Sequence, residues 1–223
     1  MKMIFIADAH LAGTESRSHR SLERFFAGLR GSATQGHGGD AAGRIPLDHL
    51  VIAGDFFDFW FAKRDAVYPG FLPMIERLTG LRDEGVRISM CEGNHDFSLA
   101  EYFTGRIGFA VHPQWADFTV DGVRILVAHG DMVDRRNRKY LALRALLRSP
   151  AIRRLERMLP LKFLWRVARV SSAMSKGMSA ESSDRLAEVM YRYARVKFGE
   201  GYDAVIFGHC HKPVLRQEMI DGR

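Results

Sequence analysis

Five short apolar segments of this chain each end abruptly in aspartate, histidine or asparagine, and this recurrence constrains the fold more than any other feature. The segments are 2–7, 48–53, 86–91, 123–128 and 203–207. After them come Asp8-Ala9-His10, Gly54-Asp55, Glu92-Gly93-Asn94-His95-Asp96, His129-Gly130-Asp131 and Gly208-His209-Cys210-His211. Apolar runs of this length, bounded by glycine and polar residues, read as buried strands. Helical periodicity lies between them: near Leu22, Phe25, Phe26 and Leu29, over 71–84 with Leu72, Ile75, Leu78 and Leu81 on one face, and over 181–198. Further strands are expected at 108–112, 116–120 and 213–220, with Asp121-Gly122 as a hairpin turn. Strands alternating with helices early and late, around a central hairpin, predict an α/β sandwich of mixed β-sheets flanked by helices. Residues 31–46 are Gly-rich and lack periodicity, which predicts a surface loop with His37 in solvent. The chain stops just after the segment 213–220, and the returning half of that hairpin is expected to lie beyond residue 223.

Loops at the C-terminal ends of strands are where α/β sheets place ligands. Carboxylate oxygen and imidazole nitrogen together suit borderline divalent ions, and no thiolate spacing points to structural zinc. Asp8, His10, Asp55, Asn94, His129, His209 and His211 make seven candidate ligands. One ion cannot use all seven; two can, if Asp55 bridges them, and such a pair suits phosphoryl displacement. Glycines at 54, 93, 130 and 208 would let the backbone turn sharply and come close. Taken singly, each of these residues is more often a cap, a turn or a surface pair.

At 223 residues, 47% of them apolar, the chain can bury a core without a disulfide or metal staple. Its two cysteines do not form a secreted-type framework, so a reducing cytosolic setting is expected. Asp8 interrupts the first apolar run too early for a signal peptide. No stretch approaches the ~20 apolar residues of a membrane span. The net charge of +7 favours anionic partners: nucleic acid, phosphorylated metabolites or an anionic membrane surface.

Much of that charge lies between Arg135 and Arg169, where Glu156 is the only acid and leucines alternate with the cations. Pro150 and Pro160 should break this run into about three short helices. A basic helix with bulky apolar residues can lie in a membrane interface. A hairpin packed on the core with a solvated basic face is an equal alternative, and phosphate-backbone binding is a third. Phe57, Phe59, Trp60 and Phe61 read as core and lid contacts, or as a surface for a nucleobase or acyl chain.

The series D-x-H, G-D, G-N-H-D, H-G-D and G-H-x-H resembles that of the calcineurin-like metallophosphoesterases, over almost the whole chain. The resemblance implies that Asp8, His10, Asp55 and His211 hold one divalent ion and Asp55, Asn94, His129 and His209 a second. It implies catalytic roles for His95, near the leaving group, and for Asp96, either orienting His95 or serving as a turn carboxylate. The opening FIADAHL, the GNHDFSLA stretch and the basic insertion ending in SSAMSKGMSAESSD resemble one subfamily in particular, the UDP-2,3-diacylglucosamine pyrophosphatases of lipid A biosynthesis. That likeness implies hydrolysis of UDP-2,3-diacylglucosamine to UMP and 2,3-diacylglucosamine 1-phosphate (lipid X). It also implies Mn²⁺ as the metal and peripheral attachment to the inner face of the cytoplasmic membrane, with no nucleic-acid partner. The division it implies is a core of 1–131 and 179–223 with a helical lid at 132–178. Asn94, His95, Arg135, Arg136, Asn137 and Lys176 are the candidate substrate contacts, Lys176 being otherwise an ordinary surface lysine. Some members of that group carry Arg where this chain has His95. A phosphodiesterase or nuclease of the same superfamily is the alternative, and a scaffold without activity is a third reading. The sequence carries no sign of oligomeric state.

Overall fold

The structure is a computed structural model that describes residues 1–32, 43–61, 67–160, 163–166 and 180–219. Its strands are β1 (Met3–Ile6), β2 (Leu29–Gly31), β3 (Ile45–Leu47), β4 (His49–Ala53), β5 (Arg87–Cys91), β6 (Ala110–His112), β7 (Trp115–Val120), β8 (Val123–Ala128) and β9 (Ala204–Phe207). One sheet is wholly parallel, in the order β1-β4-β5-β6. The second is mixed: β7 and β8 form the expected hairpin, and β9 runs parallel to β8. All five residues of β4 are buried because both faces of that strand are covered. On one face Val51 and Ala53 meet Cys91, Ala116 and Val127 between the two sheets. On the other, Leu50 and Ile52 join Ile88, Met90 and the helices α1 (Arg17–Ala27) and α2 (Leu72–Asp83).

Local chemistry sets the helix ends. The Ser16 side chain accepts from the His19 amide to start α1, and Gly28 closes it. The buried face of α2 is Met74, Ile75, Leu78 and Leu81; the expected Leu72 is 40% exposed in the first turn. A short turn of helix, α3 (Ala100–Tyr102), runs into a π-turn over Phe103–Ile107, so the strand expected from residue 108 begins at Ala110. After β8 come α4 (Arg138–Leu147), α5 (Pro150–Met158) and α6 (163–166). Pro150 opens α5 behind a Ser149 cap, so the prolines do break the insertion as expected. Finally α7 (Ala180–Gly199) covers the second sheet, with Tyr193 stacked on Trp115 at 5.4 Å between ring centres.

Two expectations need correction. Leu29 belongs to β2, not to a helical stripe, and β2 pairs in parallel with β3 across the Gly-rich segment. Residues 213–219 form no strand: Val214 and Leu215 are exposed, and no strand among the described residues pairs with them. The aromatic run after Asp55 is core, as the first of its two readings expected: Phe57, Phe59 and Trp60 are buried against Phe71, and Phe57 and Trp60 also against Phe103. His37 and Lys176 lie outside the described residues.

Candidate metal centre

Register brings the strand ends together. Ile6 pairs with Ile52, Ala53 with Cys91 and Ala128 with Phe207, so neighbouring strands finish level. The loops that follow are then tied to one another. The amides of Asp8, His10 and Leu11 donate to the carbonyls of Gly54, Asp55 and Phe56. The Gly208 amide donates to the His129 carbonyl, and the His209 amide to Asp8 Oδ1 at 2.9 Å.

Sharp turning is needed to aim the side chains inward. Asp8, His10, Asp55, His209 and His211 all have φ between 44° and 68°, the left-handed region that residues with a side chain seldom enter. Such strain persists only where surrounding structure holds it, and it collects at functional sites. Gly93 serves a different need: a Cβ there would stand 2.1 Å from Asp55 Oδ1. At Gly54 a Cβ would stand 2.6 Å from that of His129.

All seven candidate ligands meet in one cluster. Donor atoms of Asp8, His10, Asp55 and His211 lie within 4.8 Å of one another, as do those of Asp55, His129 and His209. Asp55 is common to both groups. His10 Nε2 lies 3.0 Å from His211 Nε2. His129 Nε2 lies 2.9 Å from Asn94 Oδ1 and 3.4 Å from Asp55 Oδ2.

The donor set fits divalent cations. His129 Nδ1 faces the Ala53 carbonyl at 3.3 Å, and a carbonyl only accepts, so the ring proton sits on Nδ1. Nε2 is then the atom that faces the oxygens of Asn94 and Asp55, and it meets them either across a bound cation or with a second ring proton. His129 and Asp55 are each 1% exposed, so these atoms are stable together only with positive charge between them. The acid–base balance agrees. Burial would lower the His129 pKa, but Asp55, Asp8 and Asp131 raise it to about 9. Burial would raise Asp55, but the His129 charge and hydrogen bond hold it far below the usual carboxylate range. His209, nearby, is lowered to about 4 by burial and by the His129 charge. The cluster thus draws cationic charge to itself.

The chain belongs to the calcineurin-like phosphoesterase family. The family's sequence model matches residues 1–213, which include every residue of the cluster. Calcineurin-like phosphoesterases use divalent metals, and this chain is a metal-dependent phosphoesterase. Among its relatives is a protein of Photorhabdus laumondii named UDP-2,3-diacylglucosamine hydrolase, 30% identical over 97% of this chain and 85% of that one. Proteins with the same name in Aromatoleum aromaticum (30% identical, 100% and 85% covered) and Proteus mirabilis (29%, 100% and 87%) match similarly. A solved structure of a protein of unknown function from Aquifex aeolicus matches with a TM-score of 0.44 and 17% identity over 95% of this chain and 80% of that one.

Around this phosphoesterase cluster the other candidates take distinct places. His95 is half-buried, its ring 4.9 Å from that of His10 and its Nδ1 3.0 Å from the Asp58 carbonyl. Asp96 is fully buried, and its carboxylate accepts from the amides of Asp55, Phe56, Phe57 and Gly93. Those are the bonds of a turn carboxylate. Arg135 and Arg136 are exposed in the loop that follows His129, and Asn137 accepts from the Tyr140 amide as the cap of α4. Sequence reasoning missed Asp58 and Asp131. Asp58 Oδ1 lies 3.7 Å from His10 Nδ1; its signal was a second aspartate three residues after Asp55, hidden in an aromatic run. Asp131 accepts from Tyr140 Oη at 2.7 Å and Arg144 Nε at 2.6 Å, roping α4 to the His129 loop.

Proposed function

We propose that this chain hydrolyses the diphosphate of UDP-2,3-diacylglucosamine to UMP and 2,3-diacylglucosamine 1-phosphate, at the inner face of the cytoplasmic membrane. The observation that carries this reading is the join between the donor cluster and α4. Tyr140 and Arg144 on that helix, and Arg148 at its end, reach core carboxylates or the ligand loops, while Leu143, Leu146 and Leu147 are 53%, 56% and 38% exposed. Past its first residues, Arg138 and Lys139, the helix turns Tyr140 and Arg144 toward the protein and three leucines toward its surroundings, the reverse of an ordinary surface helix. Leu155, Met158 and Phe163 continue the exposed apolar side onto α5 and α6. An apolar surface ringed by arginine suits lipid. No described helix is long and apolar enough to cross a membrane. The names of the relatives point the same way.

On this reading residues 132–178 form a lid over a core of 1–131 and 179–223. Asp8, His10, Asp55 and His211 would hold one Mn²⁺, and Asp55, Asn94, His129 and His209 the other. When bound, the ions supply Lewis acidity, acidifying water and neutralising charge on the diphosphate. The protein's own work is orientation. Asp96 and the Gly54 and Gly93 turns fix Asp55, and Asp58 lies beside His10 Nδ1. The Asp58 carbonyl accepts from His95 Nδ1, which leaves Nε2 to face the leaving phosphate oxygen. Arg135 and Arg136, exposed in the loop beyond His129, would meet the diphosphate.

The test is UMP release from UDP-2,3-diacylglucosamine presented in mixed micelles with Mn²⁺. The reading predicts UMP with wild-type protein and a large loss of kcat in His95→Ala. No UMP, with generic phosphodiesters still cleaved, would remove the lipid substrate and leave the phosphoesterase of the alternative reading.

A further inference from the structure

Arg148 stands just past the end of α4, at its C-cap, yet its guanidinium is only 17% exposed. It is spent wholly on the loop that carries Asn94 and His95. Nη1 donates to Glu92 Oε2 at 2.7 Å, Nη2 donates to the Gly93 carbonyl at 2.7 Å, and the guanidinium plane lies over the Phe97 ring at 5.0 Å. Glu92, itself 6% exposed, uses its other oxygen to accept from the Leu99 amide at 2.9 Å. One arginine and one glutamate thus close both ends of the stretch 92–99. Four residues earlier, Arg144 makes the parallel contact to Asp131 on the next loop.

We infer that Arg148 is a positioning residue for Asn94, and that through it the placement of the insertion sets the geometry of the candidate metal centre. The argument is physical. The Gly93 carbonyl and the Asn94 amide nitrogen belong to one planar peptide unit, so gripping that oxygen fixes the plane from which Asn94 departs. The forked, planar guanidinium makes two parallel bonds and a ring contact that an ammonium cannot reproduce. Removing one member of a buried, charge-assisted pair of this kind leaves the other desolvated and uncompensated. Residues that orient a metal ligand from behind typically weaken metal affinity or activity by ~10–100-fold when lost.

This inference rests on the assignment of Asn94 as a ligand, so the experiment separates the two. Mn²⁺ binding to the full chain is measured by calorimetry for wild type, Arg148→Met, Arg148→Lys, Asn94→Ala and Arg157→Met, with hydrogen exchange of the 92–99 amides beside it. Arg157 pairs with Glu101 on the surface and serves as the control for losing an arginine that joins the insertion to the core. The expected result is ~10-fold weaker Mn²⁺ binding and faster exchange over 92–99 in Arg148→Met. Lysine should give little rescue, and Arg157→Met should match wild type. Weakened binding in Asn94→Ala with unchanged binding in Arg148→Met would overturn the positioning role. Unchanged binding in Asn94→Ala would instead overturn the ligand assignment, and the inference with it. If Arg148→Met folds poorly, Glu92→Gln tests the same clamp from its other side, and normal Mn²⁺ affinity there would also overturn it.

Discussion

Asp96 Oδ1 lies 2.9 Å from the backbone nitrogen of Asp55, and through that bond a fully buried carboxylate holds the turn bearing the residue common to both donor groups. Its other oxygen takes the amides of Phe56 and Phe57 at 2.7 and 3.0 Å. Burial raises its pKa first and the Asp55 charge raises it further, while the backbone donors oppose both. Asp96→Ala leaves the buried amides of Asp55, Phe56 and Phe57 without their acceptor, at about 1–3 kcal/mol each where water cannot replace it, and leaves Gly93 with the residue's backbone carbonyl alone. Allowing for water entry, the loss should be at least ~3 kcal/mol, which for a chain of this size lowers Tm by roughly 6–12 °C. Thermal melting checks this, and a Tm within 2 °C of wild type (about 1 kcal/mol or less) would contradict it.

Gly93 and Gly122 should separate close approach from backbone strain. An added methyl at Gly93 would meet Asp55 Oδ1 at 2.1 Å and the Asp55 nitrogen at 2.4 Å. At Gly122 it would meet nothing within 4 Å, though φ is +84°. Gly122→Ala should therefore cost about 1 kcal/mol of stability and leave Mn²⁺ affinity unchanged. Gly93→Ala should displace Asp55 and weaken Mn²⁺ binding by at least about tenfold. Calorimetric titration of the two variants distinguishes these effects.

His49 gives the fold an acid-sensitive point away from the site. Its side chain is buried on β4, with Nε2 2.9 Å from Ser89 Oγ and the ring edge-on to Phe118. Burial, then the charges of Arg87 and His112, lower its pKa from 6.5 to about 4. The unfolded chain thus takes up this proton before the folded one does. The stability His49 contributes is complete above about pH 6.5 and is lost as pH falls toward 4. Between pH 7 and pH 4.5, wild type should lose more Tm than His49→Gln, which keeps a partner for Ser89. Equal losses would contradict the assignment.

How much of this was legible in the chain depended on what each residue had to do. The five strand ends were readable because a buried strand must be apolar while a metal donor must not, so the boundary is abrupt at Asp8, Asp55, Asn94, His129 and His209. The hairpin at Asp121-Gly122 was readable because its turn requires positive φ, which both residues adopt at 52° and 84°. Strands β2 and β3 were not readable: each is three residues long, and they pair across a Gly-rich stretch that has no period of its own. The positioning carboxylates Asp58 and Asp131 were hidden because their partners come from distant chain, or from a helix whose cations resembled a solvated face. The reversed polarity of α4 could be seen only once Arg144 and Arg148 were paired, since composition alone does not say which side of a helix faces in.

The central claim is that two ions share Asp55. The most direct measurement is the Mn²⁺ content of the chain after equilibration with excess metal and desalting, by elemental analysis, for wild type and Asp55→Ala. The account predicts two ions per wild-type chain and the loss of both from Asp55→Ala, together with loss of phosphoesterase turnover. Two ions retained by Asp55→Ala would contradict it.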